Sequence, residues 1–535
     1  MNRAEVKRRQ AKALGEILTW IVLSAAGSLT GNNGVTYIAA AYAIFLRMWL
    51  PVGGGLTDSL GRLLRNRYNK GQYKNALKMR SFTVVFQAVS GALGSVLLLV
   101  AAQPAAELVF KVRYSVLILM VLAPTVFLRS ISSVLLGYFQ GDGSELPTAV
   151  AGVLRPLLVL GFGYLFAGAL RGYGEQVSGL LNQNNFTAMY GGVGIAAAIS
   201  VAEALILLLL FLIYRWSSRR RKRSKPESGM RTTDSSMDCL RYLYGSRWSE
   251  IVTGLLVFMP FPLGWLFYGK SVPDEDIAAV EYGLYVGKYL MVCGILISVI
   301  TILALPVIGR GLTYLKKEEQ RFARAAFQSG IHMCFVHGIF VVIFVAVMGE
   351  QLSGLLRAEG GDIVLKMFQG GSAVIFAGAL SGYFARVLLS TGKRYFVMGS
   401  FAVGNVAFVI STAALLNLGK TGILALVYGG FLSGGIVGVL LGLFVYRQLR
   451  LRIDWLRLLI MPLIAGGASG LTGIFLKKMV TPHLGNLVSL IVLLVISVAI
   501  YWIILLLTRN FREQELEFIP GGKILNVLGQ MLRVY

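Results

Sequence analysis

The chain has 535 residues, of which 56% are hydrophobic and only 14% are charged, and its mean hydropathy is +0.70. Soluble globular domains carry about 25% charged residues, so this composition excludes an ordinary soluble fold. The net charge of +26 could suggest a nucleic-acid partner, but the Lys and Arg residues lie between long apolar runs, where they act as topology determinants and contacts to anionic lipid headgroups.

The apolar runs predict an all-α polytopic membrane protein with about fourteen transmembrane helices. About 20 apolar residues span a bilayer as a helix, and backbone polar groups in lipid must be satisfied within each segment. In chain order, the predicted helices 1 to 14 cover residues 14–30, 34–57, 81–103, 114–137, 148–170, 190–214, 249–269, 281–309, 327–349, 363–390, 397–416, 421–446, 455–476 and 484–508.

The distribution of polar segments divides the chain into two halves and a final pair of helices. We predict an N-lobe, a basic cytoplasmic linker that is polar and poorly ordered, a C-lobe, helices 13 and 14, and an amphipathic tail on the inner membrane surface. These parts cover residues 1–214, 215–248, 249–446, 447–508 and 509–535, respectively.

The positions of Lys and Arg predict the orientation. With the N-terminus inside and alternating helices, 37 of the 51 Lys and Arg residues fall in inner segments and 8 in outer loops. This bias follows the positive-inside rule. We therefore expect a bacterial cytoplasmic-membrane protein whose two termini are both cytoplasmic.

A short internal repeat relates the two halves. Gly-Tyr-Phe at 137–139 ends predicted helix 4, and the same three residues at 382–384 end predicted helix 10. The two sites are six helices apart, and an even shift preserves orientation in the membrane. The repeat predicts two lobes related by an axis along the membrane normal.

Three segments carry a resemblance to a known superfamily. Gly-Tyr-Phe-Gln-Gly at 137–141, Leu-Pro-Thr-Ala at 146–149 and the basic loop at 69–76 resemble the multidrug/oligosaccharidyl-lipid/polysaccharide flippases. The stage V sporulation protein B-like and lipid II flippase-like branches look most similar. The resemblance implies two six-helix lobes around a central cavity that opens alternately to each side, and a polyprenyl-pyrophosphate-linked saccharide as the substrate.

Predicted helix 5 departs from the family pattern. The family has a Glu-Gln pair ahead of an Arg in this helix, whereas this chain has the sequence Val-Ala-Gly-Val-Leu-Arg at 150–155. The acid is lost and Arg155 is kept. This difference indicates a divergent member with an altered substrate or altered coupling.

Two cations inside predicted helices are candidate substrate contacts. Arg47 lies near the middle of helix 2 and Lys288 in the outer half of helix 8. Each intramembrane charge costs roughly 2.5–3.5 kcal/mol on insertion scales, so it is a functional candidate. In the resembling family, helices 2 and 8 line the cavity, and a pyrophosphate needs cations. The alternative is that each side chain snorkels to water or pairs with a carboxylate.

The remaining charged candidates are predicted to form ion pairs or a gate. Glu203 is the only acid deep in a predicted helix, and we expect it to pair with either Arg155 or Arg129. Asp58 follows Arg47 by eleven positions, which returns a helix to nearly the same face. Asp58 is therefore either a gate at the inner mouth or an ordinary helix-end residue.

Two helices contain residues that weaken helical hydrogen bonding. Pro removes a backbone donor and Gly loosens the backbone, so these sites are either bending points of a transporter or static kinks. The predicted hinge residues are Pro51, Gly53, Gly54 and Gly55 in helix 2, and Pro260 and Pro262 in helix 7.

No motif indicates an enzyme, a cofactor or a metal. The three cysteines, Cys239, Cys293 and Cys334, lack metal-ligand spacing, and no outer loop holds an acid–base constellation. The alternative function is a cation-coupled multidrug exporter of the same fold, which needs buried carboxylates. The expected partners are a lipid-linked saccharide and membrane lipids, with an ion or the membrane potential as the driving force.

Overall fold

The computed structural model describes residues 3–183, 185–221, 234–356, 360–419, 421–451, 454–511, 515 and 522–531. Helices make up 91% of the chain, and the described residues contain no strand. The helices are α1 (Arg3–Gly53), α2 (Leu56–Asn69), α3 (Tyr73–Pro104), α4 (Ser115–Gly141), α5 (Leu146–Leu181), α6 (Asn185–Arg221), α7 (Ser236–Val257), α8 (Pro260–Ser271), α9 (Glu275–Leu284), α10 (Leu290–Lys316), α11 (Gln320–Val347), α12 (Gly349–Leu355), α13 (Gly361–Gly371), α14 (Ala373–Ser390), α15 (Arg394–Asn417), α16 (Leu424–Leu449), α17 (Met461–Leu507) and α18 (Gly522–Met531).

The membrane-spanning character of the helices is confirmed. Thirteen helical stretches in the described part of the chain are long and apolar enough to cross a bilayer. One of them, Lys7–Asn69, has 63 residues and would extend about 95 Å if straight, over twice the thickness of a bilayer. It contains predicted helices 1 and 2, so the expectation of about fourteen spans agrees with the structure.

Glycine allows the break inside this long stretch. Gly31 has φ 77° and ψ 171°, a conformation that non-glycine residues rarely adopt. Gly485 has nearly the same backbone angles, φ 66° and ψ 168°, and divides α17 at the boundary between predicted helices 13 and 14. In both places one residue interrupts an otherwise continuous helix close to the boundary between two predicted helices.

The chain forms two compact units, and the first comprises Ile21–Gly283. Within it, α4 packs against α2, α3 and α6. Helix α5 packs against α6, and helix α7 packs against α2 and α3. Leucines of α2, together with Tyr138 and Phe139 at the end of α4, form a buried cluster at one end of this unit. The Gly-Tyr-Phe segment is therefore part of a hydrophobic core.

The second unit comprises Met1–Trp20 and Leu284–Tyr535. Here α14 packs against α10, α11 and α16, and α15 packs against α16. The order of packing is the same as in the first unit, with α14 in the place of α4. This agreement supports the sequence repeat, while the two-fold axis along the membrane normal stays a prediction.

The turns of the two units repeat the same hydrogen bonds. In the α2–α3 turn, the Lys70 amide donates to Asn66 and the Gln72 amide to Arg67, with Gly71 at φ 70°. In the α10–α11 turn, the corresponding amides are those of Lys317 and Glu319, which donate to Thr313 and Tyr314, with Glu318 at φ 62°. The same pattern also ends α4 and α14 and is common at helix C-termini, so it is the order of packing that supports the repeat.

The segment predicted as a linker is partly helical. Helix α6 continues to Arg221, and α7 begins at Ser236, thirteen residues before predicted helix 7. Ser235 and Asp238 form a reciprocal capping box that starts α7. The central part of the predicted linker, 222–233, lies outside the described residues, so its order stays a prediction.

The start of the predicted tail packs on protein. Asn510 and Phe511 are buried, and Leu525 of α18 contacts the hydrophobic cluster of the second unit that includes Tyr501 and Leu505. The expectation of a tail lying on the membrane surface did not include these contacts. They arise because Phe511 stacks on Trp502 at a ring-centroid distance of 5.6 Å.

Candidate functional site

Arg47 lies half-buried near the end of α1, in the first unit. Its Nη1 donates to the carbonyl oxygen of Ala43 at 2.6 Å, and its Nη2 lies 3.6 Å from the sulfur of Met259. No ion pair with Arg47 occurs among the described residues. The guanidinium therefore keeps N–H groups that can bind an anion.

Lys288 lies in the second unit, in a π-helical turn that spans Tyr285–Tyr289. The side chain is buried, and it has no hydrogen bond or ion pair with any described residue. Tyr285 and Tyr289 stack at 5.8 Å, and the Tyr289 hydroxyl donates to the Gly371 carbonyl at 2.8 Å. Single π-helical turns inside α-helices occur often at functional sites, so both backbone and charge single out this position.

Glu203 of α6 is held by two neighbours. Arg155 of α5 donates two hydrogen bonds to it, from Nε to Oε2 at 2.7 Å and from Nη2 to Oε1 at 3.1 Å. The Ser132 hydroxyl of α4 donates a third bond at 2.7 Å. Of the two pairings that the sequence left open, the structure contains the one with Arg155. Both carboxylate oxygens are engaged, so this acid ties three helices together.

Arg129 and Asp58 have different surroundings. The guanidinium of Arg129 lies 5.3 Å from the centroid of the Trp49 ring, a cation–π contact, and forms no ion pair with Glu203. Asp58 is half-buried in the first turn of α2, where a negative charge stabilises the helix dipole. A gating role for Asp58 stays a prediction.

Both predicted hinge regions are interruptions of a helix. Helix α1 ends at Gly53 and α2 begins at Leu56, with Gly55 at φ 66°. Helix α7 ends at Val257, and α8 begins with Pro260. The ring of Pro51 removes the N–H that would have bonded the Arg47 carbonyl, so the chain loosens one turn after the candidate cation. The helix breaks are present, and their bending during transport stays a prediction.

Sequence reasoning missed Arg247, which secures the break between α1 and α2. This residue of α7 is fully buried, with 0% of its surface exposed. Its guanidinium donates to the carbonyls of Pro51 at 2.9 Å, Val52 at 2.8 Å and Gly54 at 3.2 Å. These carbonyls lie where the helix ends and lack a full set of helical donors. Arg247 therefore supplies the hydrogen bonds that the break removes.

The sequence placed Arg247 at the end of the predicted basic linker. Its partners lie 193 to 196 positions earlier in the chain, so no local pattern indicates them. One local signal was available, because Ser-Ser-Met-Asp at 235–238 is a capping-box pattern. It predicts a helix over this segment and so places Arg247 inside the helix.

The interior charges thus fall into two chemical groups. Arg155, Glu203 and Arg247 form several hydrogen bonds to protein atoms each and stabilise the helix packing, although Nη1 of Arg247 is buried without a partner among the described residues. Arg47, Lys288 and Arg129 form no ion pair with a described carboxylate, and of these three only Arg129 has its guanidinium against an aromatic ring, that of Trp49. A cation in this state is available for a phosphate, which accepts charge-assisted hydrogen bonds.

Comparisons with solved structures identify the fold as that of a polytopic membrane transporter. An inward-facing multidrug resistance MATE family transporter of the MOP superfamily has a TM-score of 0.61 at 12% identity, covering 84% of this chain and 98% of its own. The lipid II flippase MurJ, in an inward closed conformation, has a TM-score of 0.62 at 10% identity, covering 93% and 97%. The eukaryotic MATE transporter AtDTX14 has a TM-score of 0.57 at 18% identity, covering 84% and 96%.

At these identities the likeness concerns the fold alone. No protein-family model and no curated protein matches the sequence. The structural neighbours include drug transporters as well as a lipid flippase, so the substrate has to be argued from this chain's own residues.

Proposed function

We propose that this protein is an alternating-access transporter that flips a polyprenyl-pyrophosphate-linked saccharide, a precursor of polysaccharide or peptidoglycan, across the bacterial cytoplasmic membrane. The observation that carries the proposal is the presence of two interior cations, Arg47 and Lys288, without a carboxylate partner among the described residues. An uncompensated intramembrane charge costs roughly 2.5–3.5 kcal/mol on insertion scales. A bound pyrophosphate offsets that cost when the substrate is present.

Each of the two cations offers a different kind of contact to a phosphate group. Arg47 offers a planar guanidinium that can bind phosphate oxygens with two parallel bonds. Lys288 offers a single ammonium in a buried turn beside stacked Tyr285 and Tyr289. We therefore propose Arg47 and Lys288, each within its own unit, as substrate-binding residues.

The same charges disfavour a cation-coupled exporter, the second function that the fold allows. An exporter that exchanges a drug for sodium or protons needs an interior carboxylate that can bind and release the ion. Glu203 is the only buried carboxylate in the described part of the chain. Arg155 and Ser132 bond both of its oxygens, so this carboxylate is held in an ion pair within the protein and is disfavoured as the site of a coupling ion.

The test compares the two substrates in one preparation. The full-length protein is reconstituted in vesicles with a fluorescent undecaprenyl-pyrophosphate disaccharide, and separately with a cationic dye under a sodium or proton gradient. We expect protein-dependent flipping of the lipid and no gradient-driven movement of the dye. Gradient-driven dye export without lipid flipping would contradict the proposal and favour the exporter.

The orientation of the protein belongs to the same proposal. The excess of Lys and Arg in alternate segments supports cytoplasmic termini and a cytoplasmic linker. A cysteine introduced by Ser228→Cys should react with an impermeant thiol reagent only after the cells are opened. Reaction in intact cells would reverse the assignment.

A further inference from the structure

A basic cavity lies at one end of the second unit, away from Lys288. Its volume is about 420 Å³, and the ends of α10, α14 and α16 form its walls together with the start of α11. A volume of this size lies in the range of ordinary ligand sites, roughly 300–1,000 Å³. The sequence analysis placed these helix ends at the cytoplasmic side of the membrane.

Four residues with side-chain donor groups line this cavity. The donor groups are the Lys316 ammonium, the Arg324 guanidinium, the Ser390 hydroxyl and the Gln448 amide. Arg324 uses one N–H to bond Gln320 at 3.2 Å, and the other three groups have no partner among the described residues. No Asp or Glu lines the cavity. The site is therefore rich in donors and lacks the carboxylate that would neutralise it.

The two cations of the cavity differ in their position relative to the helix dipoles. Lys316 lies in the last turn of α10, where a cation favourably meets the helix C-terminus. Arg324 lies in the second turn of α11, near the N-terminal end of its helix, where a cation is unfavourable. The dipole of α11 therefore does not favour Arg324 at this position, and an anion bound in the cavity would supply its counter-charge.

The cavity wall indicates which kind of anion fits. Leu312, Leu315 and Leu449 form an apolar side next to the cationic side. Basic pockets between transmembrane helices on the cytoplasmic side bind the headgroups of anionic lipids. We propose that this cavity binds a phosphate group, with Lys316 and Arg324 as the charged ligands and Ser390 and Gln448 as neutral donors. The phosphate of an anionic phospholipid and free phosphate share this chemistry.

The test measures binding to the full-length protein in nanodiscs. Phosphatidylglycerol is titrated into zwitterionic nanodiscs, and bound lipid is counted by native mass spectrometry, with inorganic phosphate as a separate arm. The variant is the double substitution Lys316→Gln, Arg324→Gln. The matched control is Lys317→Gln, Arg321→Gln, which makes the same charge change in the same turn but outside the cavity.

We expect one saturable phosphatidylglycerol site that the double substitution weakens at least tenfold and the control by less than twofold, because each charge-assisted bond contributes about tenfold in binding. Saturable inorganic phosphate binding with the same dependence, and no preference for phosphatidylglycerol, would identify free phosphate as the source. Gln448→Leu keeps both charges and tests the geometry if the double variant does not fold, with a smaller loss expected. Equal weakening by the variant and its control, or no weakening by either, would overturn the site.

Discussion

The α2–α3 turn of the first unit and the α10–α11 turn of the second unit have the same backbone hydrogen bonds. They differ in whether the cations near the turn pair with acids. In the first unit, Arg65 pairs with Glu145 at 3.0 Å and Arg67 pairs with Asp234. In the second unit, Lys316 and Arg324 have no acid within ion-pair distance among the described residues. A repeated backbone therefore does not imply a repeated use of its cations.

The comparison shows that the Lys and Arg residues that produce a positive-inside bias can have two different roles after folding. Both turns contribute Lys and Arg to the orientation of the chain, because insertion counts charges and not their partners. After folding, Arg65 and Arg67 of the first turn are paired with acids. Lys316 and Arg324 near the second turn have no acid partner among the described residues. Arg65 and Arg67 of the first turn should therefore matter for stability, and Lys316 and Arg324 of the second turn for binding.

The largest expected loss of stability comes from the buried ion pair of the first unit. Arg155→Ala should lower the free energy of unfolding by about 3–5 kcal/mol, because it leaves Glu203 charged and buried without its partner. Unfolding in mixed detergent micelles measures this change. The double variant Arg155→Leu, Glu203→Leu should be less destabilised than Arg155→Ala, since apolar replacement removes the unpaired charge. A double variant that is worse than the single one would show that the pair itself is strongly stabilising.

A smaller loss is expected at the helix break. Arg247→Leu should lower the free energy of unfolding by about 3 kcal/mol, because three backbone carbonyls lose a charged donor. Arg241→Leu, on the exposed face of the same helix, is the matched control and should change stability by less than about 0.5 kcal/mol. Equal effects of the two variants would mean that Arg247 does not support the break.

The smallest effects compare the two turns directly. Arg67→Gln should cost about 1–2 kcal/mol, because it breaks the contact with Asp234 and the stacking on Tyr242. Lys316→Gln should change stability by less than about 0.5 kcal/mol, since it breaks no contact with a described residue. Chemical unfolding of both variants in lipid-free detergent, which removes bound phospholipid, would check this. A loss at Lys316 as large as that at Arg67 would contradict the comparison.

Much of the fold could be predicted from the sequence, because membrane insertion depends on local properties. Length and hydropathy alone predicted the spans. The Gly-Tyr-Phe repeat predicted that α4 and α14 occupy equivalent places in the packing of the two units. Glu203 could be recognised as an acid in need of a cation. The choice of Arg155 over Arg129 depends on helix rotation, which the sequence does not specify.

The parts that escaped prediction depend on contacts over long sequence distances. In the sequence, Arg247 cannot be distinguished from the other cations of the predicted linker, because its role depends on the packing of α7 against the end of α1. The basic cavity forms only where the ends of α10, α14 and α16 meet. The π-helical turn that holds Lys288 has no periodicity signal either. In each case tertiary packing determines whether a charged side chain bonds other protein groups or can bind a ligand.

The central claim is that Arg47 is left available for the substrate, and its substitution tests this most directly. Flipping of an undecaprenyl-pyrophosphate disaccharide is measured in vesicles for the native protein, Arg47→Ala, Arg47→Lys and the exposed control Arg171→Ala. One lost charge-assisted contact amounts to about 1.5–3 kcal/mol, or roughly ten- to a hundred-fold in binding. Arg47 bonds only the carbonyl of its own helix and a thioether, so folding should be unaffected.

We predict that Arg47→Ala abolishes or strongly impairs flipping, that Arg47→Lys restores part of it because Lys keeps the charge but loses the guanidinium fork, and that Arg171→Ala flips at the native rate. Flipping by Arg47→Ala at the native rate would remove Arg47 from the mechanism and contradict the account.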